Sequence, residues 1–138
     1  MTSITRLSLT AFLLFAATPM HPATQESKQV GGGDAAQGKY IVEDVAMCWR
    51  CHTPGGDRGM PERDHWLLGA PIRSPLPDWA VYAPRLAGRP PGTDQEFITL
   101  LTTGISRTGK PPKSPMPSFR MTKKDAESVL AYLKSLGK

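Results

Sequence analysis

Cys48-Trp49-Arg50-Cys51-His52 limits what this chain can become more than any other stretch. Two cysteines three apart, with a histidine directly after the second, form the pattern by which a chain takes up haem covalently. Each thiol adds to one vinyl group of the porphyrin edge and leaves a thioether. The next residue then presents its imidazole to the iron from one face. One turn of chain thus supplies two covalent anchors, Cys48 and Cys51, and one axial ligand, His52. These are the only two cysteines, so no other pairing competes for them. Three plainer readings stand beside this one. A redox-active dithiol expects a βαβ context and leaves His52 without a role. A structural zinc needs four ligands, and there is no second cysteine pair. Coincidence is the third, and only the rest of the chain can weigh against it.

The 138 residues allow one domain with a tail and one modest core. Hydrophobic residues make up 39% and aromatics only 7%, so a buried porphyrin would supply apolar bulk that the side chains lack. Residues 1–23 read as an export signal: Arg6 is the positive n-region and Leu7 to Ala17 an apolar h-region too short for a comfortable span. The cleavage signal is ambiguous between Thr18 and Ala23, and an uncleaved anchor is the alternative. Export fits the motif, because cysteines of this kind are matured in an oxidising compartment. Arg6 is the one charged residue of that segment, so its removal leaves 16 of the 17 basic groups against 12 acidic ones. Two propionates would reduce that excess further, and so faint a balance gives no reason to expect nucleic acid as a partner.

Residues 24–33 (TQESKQVGGG) read as a flexible linker, and the folded domain is expected from Asp34 to the end, 34–138. Asp34 is the expected N-cap of a helix through Ala35, Tyr40, Ile41 and Val45, with Ile41 and Val45 on one face, delivering the chain to Cys48. Gly55 to Tyr82 is rich in Gly, Pro and Arg and predicts a long loop with short strands or one helical turn at most. Its Trp66, Trp79 and Tyr82 read as core fillers or haem-edge contacts, and His65 as an exposed loop residue with a minor claim to be a second ligand. Thr93 and Glu96 form a capping box ahead of Phe97, Leu100 and Leu101, with Gly104 as the stop. Thr122 and Asp125 cap a last helix carrying Ala126, Val129, Leu130 and Leu133. No alternating strand pattern competes, so the class is all-α.

Between those helices runs Gly109 to Met121 (GKPPKSPMPSFRM), where four prolines forbid a helix and hold the chain extended. Met116, set between Pro115 and Pro117, is well placed to hold a thioether against the free face of a haem. Met121 is the competitor, but it precedes the Thr122 cap, where an apolar residue normally staples onto Ala126. Met121 is therefore expected in the core and Met116 at the iron. Met47 and Met60 lie too close to the attachment motif to be expected on the opposite face.

Helix, C-W-R-C-H, a proline-leucine segment, helix, M-P-S-F and a capped last helix together resemble class I cytochrome c, from about Asp34 onward. The likeness implies a small helical bundle wrapped around one covalently attached haem c. The family's glycine-proline-x-leucine-x-glycine segment reads here Ala83-Pro84-Arg85-Leu86-Ala87-Gly88, with alanine in the first place. By resemblance, the Pro84 carbonyl orients His52 and Leu86 packs on the porphyrin. Crossing of the first and last helices is likewise implied, with Gly38 and Tyr40 against Tyr132 and Leu133. The 55–82 loop departs from the pattern and is similar to that of cytochromes serving periplasmic dehydrogenases.

A six-ligand iron between His52 and Met116 has no open position, so the expected role is a periplasmic single-electron carrier and not an enzyme. The alternatives are a cytochrome subunit accepting electrons from the catalytic subunit of a periplasmic dehydrogenase, and a catalytic or gas-sensing haem whose methionine lets go. Expected partners are redox proteins, a dehydrogenase or a terminal oxidase. Stable membrane insertion is not expected once the signal is removed. A chain carrying both Cys48→Ala and Cys51→Ala should leave no haem on the polypeptide in a denaturing gel, and haem persisting there would rule out the attachment.

Overall fold

Four helices and one long excursion make up the part of the chain that the computed structural model describes, residues 32–73 and 76–137. The expected signal segment, 1–23, most of the expected linker, 24–33, and Lys138 lie outside the described residues. The elements are α1 (Ala35–Tyr40) continuing into a π turn (Ile41–Val45), α2 (Trp49–His52), α3 (Asp94–Thr103) and α4 (Lys123–Ser135). The fold is helical, as the sequence predicts. The excursion adds two 3₁₀ turns, Gly56–Arg58 and Arg63–His65. A two-residue antiparallel pairing follows, of β1 (Ala70–Pro71) with β2 (Tyr82–Ala83), in which Ala70 faces Ala83.

The caps form where side-chain oxygens meet orphan amides. Asp34 accepts from the N–H of Ala36 at 2.8 Å and of Gln37 at 3.4 Å. Thr93 and Glu96 close a reciprocal capping box, at 3.2 and 2.8 Å. At α4 the arrangement differs from that box. Thr122 Oγ1 accepts from the Asp125 N–H at 3.1 Å, but the Thr122 hydroxyl donates to the Asp125 carboxylate at 2.8 Å. Aspartate is one methylene shorter than glutamate and bonds the nearer hydroxyl.

The first helix does not run regularly into the haem motif. Ala46 N–H donates to the Ile41 carbonyl at 2.7 Å, five residues back, so one extra residue is accommodated in the turn. That insertion rotates the apolar face. Ile41 and Val42 are buried, and Val45, expected to share a face with Ile41, is 55% exposed. The segment ends at Met47 with φ +46°, which turns the chain into Cys48.

The termini of the domain meet where α1 packs on α4. Gly38 makes this possible: a Cβ there would stand 1.9 Å from the Ser128 carbonyl oxygen and 2.9 Å from Tyr132 Cβ. Tyr40, expected at the same crossing, is 55% exposed. Its place is taken by Glu43 in the π turn, whose carboxylate accepts from the Tyr132 hydroxyl. Asp34 N–H adds a bond to Ser128 Oγ at 3.0 Å. Ala126, Val129, Leu130 and Leu133 of α4 are buried with Phe97 and Leu101 of α3. Each Leu, Val or Phe so buried contributes about 1.5–3 kcal/mol. The Lys134 ammonium pairs with Asp94 across the α3–α4 contact.

Gly38→Ala is expected to lower unfolding stability by about 3 kcal/mol or more, because the new methyl meets α4 backbone and the helices must separate. A denaturant midpoint equal to that of the parent would show that the crossing is not this tight.

Candidate cofactor cleft

The elements converge on an apolar cleft of two adjoining lobes. Cys51, His52 and Met116 line both lobes. Cys48, Leu86, Met121 and the inner faces of α3 and α4 complete the first lobe. Tyr82, Pro84 and the proline-rich Pro112–Met116 stretch wall the second.

The attachment motif is built on one helical turn. Thr53 N–H closes it on the Trp49 carbonyl at 3.1 Å, and Trp49 Nε1 donates to the Glu43 carbonyl at 2.8 Å. The Trp49 indole thereby faces away from the cleft and stacks on Trp66, with ring centroids 6.2 Å apart and planes at 20°. Arg63 lies over the Trp66 ring at 4.3 Å from its centroid, a cation–π contact. Trp66 is thus packed against the motif's outer side and is absent from the lining of either lobe.

His52 is buried, and its Nδ1 lies 2.7 Å from the Pro84 carbonyl oxygen. A carbonyl can only accept, so Nδ1 carries the proton and Nε2 keeps its lone pair for a ligand bond. Burial pulls the imidazole below its ordinary pKa range, opposed by the Pro84 hydrogen bond, so the ring is neutral near pH 7. Burial pushes the Cys48 thiol up to about 11 and raises Cys51 as well, the latter opposed by Arg50. Redox-active dithiols need the opposite shift. Among the described residues no group of three or more His, Cys, Asp or Glu gathers to hold a metal, as a zinc site would require.

A covalent haem fits these walls. Two thiols and a neutral imidazole with an oriented lone pair stand at the edge of a slot otherwise faced by aliphatic, aromatic and thioether groups. Several of those groups read in the sequence as ordinary helix stripes. Phe97 and Leu101 on α3, and Val129 and Leu133 on α4, serve the core and the cleft together. Phe119, the end of the M-P-S-F segment, lines it too, as does Ala46, which carried no sequence signal beyond hydrophobicity. Met121 packs on the core as expected, its N–H held by the Leu101 carbonyl at 3.0 Å, yet it lines the first lobe too. The end of α3 fixes Met121 at the cleft rim, so stapling and cleft lining are not exclusive. Met47 also reaches that lobe, while Met60 is 64% exposed. His65 is exposed, lies 3.3 Å from Glu62 and lines neither lobe. Tyr82 borders the second lobe, and Trp79 is half-buried and lines neither lobe.

Helices crossing beside a slot that ends in C-W-R-C-H define a haem-binding electron-transfer domain. The family model for cytochrome c matches residues 35–137, and the chain belongs to that family. It binds haem c covalently, with iron, at the Cys48–His52 motif. The chain is 40% identical over 35 residues to a diheme cytochrome c-type protein of Cereibacter sphaeroides, covering 25% of this chain and 12% of that protein. It is 33% identical over 76 residues to the fructose dehydrogenase cytochrome subunit of Gluconobacter japonicus, covering 51% of this chain and 14% of that protein. The matched segments therefore span only about one-seventh or less of these relatives.

Pro84→Ala is expected to leave haem attached and the visible spectrum close to that of the parent, since the carbonyl that meets His52 belongs to the backbone. Loss of haem from this variant would mean that the proline ring, and not its carbonyl, holds the site.

Proposed function

We infer that this chain is a periplasmic single-electron carrier in which His52 and Met116 hold the iron of one haem c from opposite faces. The observation that carries the reading is the cleft: a neutral, carbonyl-oriented imidazole and a thioether from a proline-bound turn line the same two apolar lobes. Haem supplies a one-electron ferric/ferrous couple. The chain's residues supply attachment through Cys48 and Cys51, orientation of His52 through Pro84, and exclusion of water through Leu86, Phe97 and Leu133. A catalytic or gas-sensing haem would need a distal acid or base, and among the described residues no carboxylate or second histidine lines either lobe.

Met116 is favoured over Met121 by its surroundings. It lines both lobes, and its N–H bonds the Lys113 carbonyl at 3.3 Å in a turn that Ala80 N–H ties down through the Ser114 carbonyl at 2.8 Å. Methionine is a soft ligand that favours ferrous iron and raises the potential relative to a second histidine. Export rests on residues 1–23, with the domain beginning near Asp34 after a linker; no described helix is long and apolar enough to cross a membrane.

A second reading is favoured by one finding, the likeness to a fructose dehydrogenase cytochrome subunit. On this reading the domain accepts electrons from the catalytic subunit of a periplasmic dehydrogenase. Copurification from native membrane and periplasm, followed by haem staining, separates the two: a free carrier runs alone, and a subunit brings its dehydrogenase. Partners are redox proteins in either case, docking beside Lys110, Lys113 and Arg120.

Met116→Ala is expected to keep the covalent haem, abolish the methionine–iron charge-transfer band, admit carbon monoxide and lower the reduction potential, since axial ligands tune haem over about 0.8 V. Met121→Ala should keep the band and cost about 1–2 kcal/mol, less than a fully buried methionine because it is only half-buried. The reverse pair of spectra would transfer the ligand role to Met121. Reduction by the physiological donor should slow with rising salt, since exposed charges are screened within about 8 Å at physiological ionic strength.

A further inference from the structure

The long excursion between the haem motif and β2 contains a buried backbone anomaly. Leu67 has φ +55°, a left-handed conformation that a bulky residue adopts only when its surroundings over-determine it. Its side chain is fully buried, and both of its backbone polar groups are occupied. Leu67 N–H donates to Thr53 Oγ1 at 2.9 Å, and Thr53 is itself only 1% exposed. The Leu67 carbonyl accepts from two amides together, Leu86 N–H at 2.8 Å and Ala87 N–H at 3.0 Å.

These bonds close a circuit around the proximal histidine. Thr53 follows His52 directly in the chain, and Leu86 and Ala87 follow Pro84 by two and three residues. Gly69 N–H also binds the His52 carbonyl at 2.9 Å, and Ala70 pairs with Ala83 on the other side of Pro84. The Pro84 carbonyl is thus gripped on both flanks by the segment 67–70, which is fastened in turn to His52 and Thr53. The circuit thus supports, from both sides, the direct bond between His52 Nδ1 and the Pro84 carbonyl.

We propose that Thr53 is a positioning residue. Through Leu67 its hydroxyl sets the Pro84 carbonyl against His52 Nδ1 and so tunes the reduction potential, giving the 55–82 excursion the role of a clamp on the proximal ligand. The proposal rests on His52 being an axial ligand, as inferred above. The hydrogen bond to Pro84 gives the imidazole partial anionic character, which favours ferric iron. Loosening the clamp weakens that bond and raises the potential. A tenfold change in the relative affinity of the two oxidation states for the ligand set corresponds to about 59 mV for one electron.

The test compares the holoprotein with Thr53→Val, which keeps the shape without the hydroxyl, and Thr53→Ser, which keeps the hydroxyl. Thr53→Val should exchange the His52 Nδ1 proton with solvent at least tenfold faster by nuclear magnetic resonance and raise the midpoint potential, and Thr53→Ser should restore both. Should Thr53→Val fail to fold, Thr53→Ala leaves space for a water to accept from Leu67, and smaller shifts in the same directions are expected. A variant that loses stability while proton exchange and potential stay at parental values overturns the proposal and leaves Thr53 as a structural fastener. The ligand assignment is read separately, from hyperfine-shifted His52 ring resonances in the ferric parent. Their absence would sink that reading before any Thr53 variant is made.

Discussion

The close approach of α1 to α4 at Gly38 is the constraint from which the remaining geometry follows. With no side chain there, helix backbones touch, since a single methyl would stand within 2 Å of the Ser128 carbonyl. Because α1 runs through a π turn into Cys48, fixing α1 fixes where the attachment motif begins. Because α4 also carries Val129 and Leu133 into the cleft wall, the same contact sets how far that wall stands from the motif. The Tyr132 hydroxyl on the Glu43 carboxylate, and Trp49 Nε1 on the Glu43 carbonyl, carry the constraint from helix crossing to haem motif.

Core and cofactor site are not separate regions in this protein. Phe97, Leu101, Val129 and Leu133 are buried among themselves and also face the slot. With 39% hydrophobic residues and only 7% aromatics, the side chains supply a modest core. Covalent haem contributes both to function and to the apolar mass around which the helices pack. Thioether attachment suits such a design, because a small domain with a modest core gains from a group that cannot dissociate.

The proximal side is polar only where polarity has a defined task. One carbonyl meets one ring nitrogen, and the backbone around it is satisfied by Leu67, Gly69 and the β1–β2 pairing. No buried side-chain nitrogen or oxygen is left without a partner among the described residues. The second lobe is walled by a proline-rich stretch, in which stiffness takes the place of hydrogen-bonded secondary structure.

The sequence by itself determined the chemistry and most of the helix ends. The Cys48–His52 spacing is a local covalent requirement, and Asp34, Thr93 and Thr122 bond amides two or three residues away, so both are legible without tertiary context. Gly104 reads as a stop for the same reason. Folding decided whatever depends on residues distant in the chain. The π turn that buries Val42 and exposes Val45 answers to the fit of α1 on α4, and hydrophobic periodicity assumes a regular helix. Met121 read as a staple, and it is also a cleft residue because α3, twenty residues earlier, holds its amide at the rim. The tie from Thr53 to Leu67 spans fourteen residues of loop without periodicity, and its left-handed leucine has no composition signal. Local hydrogen-bonding rules act over three or four residues, and those contacts are made only when the whole chain closes on itself.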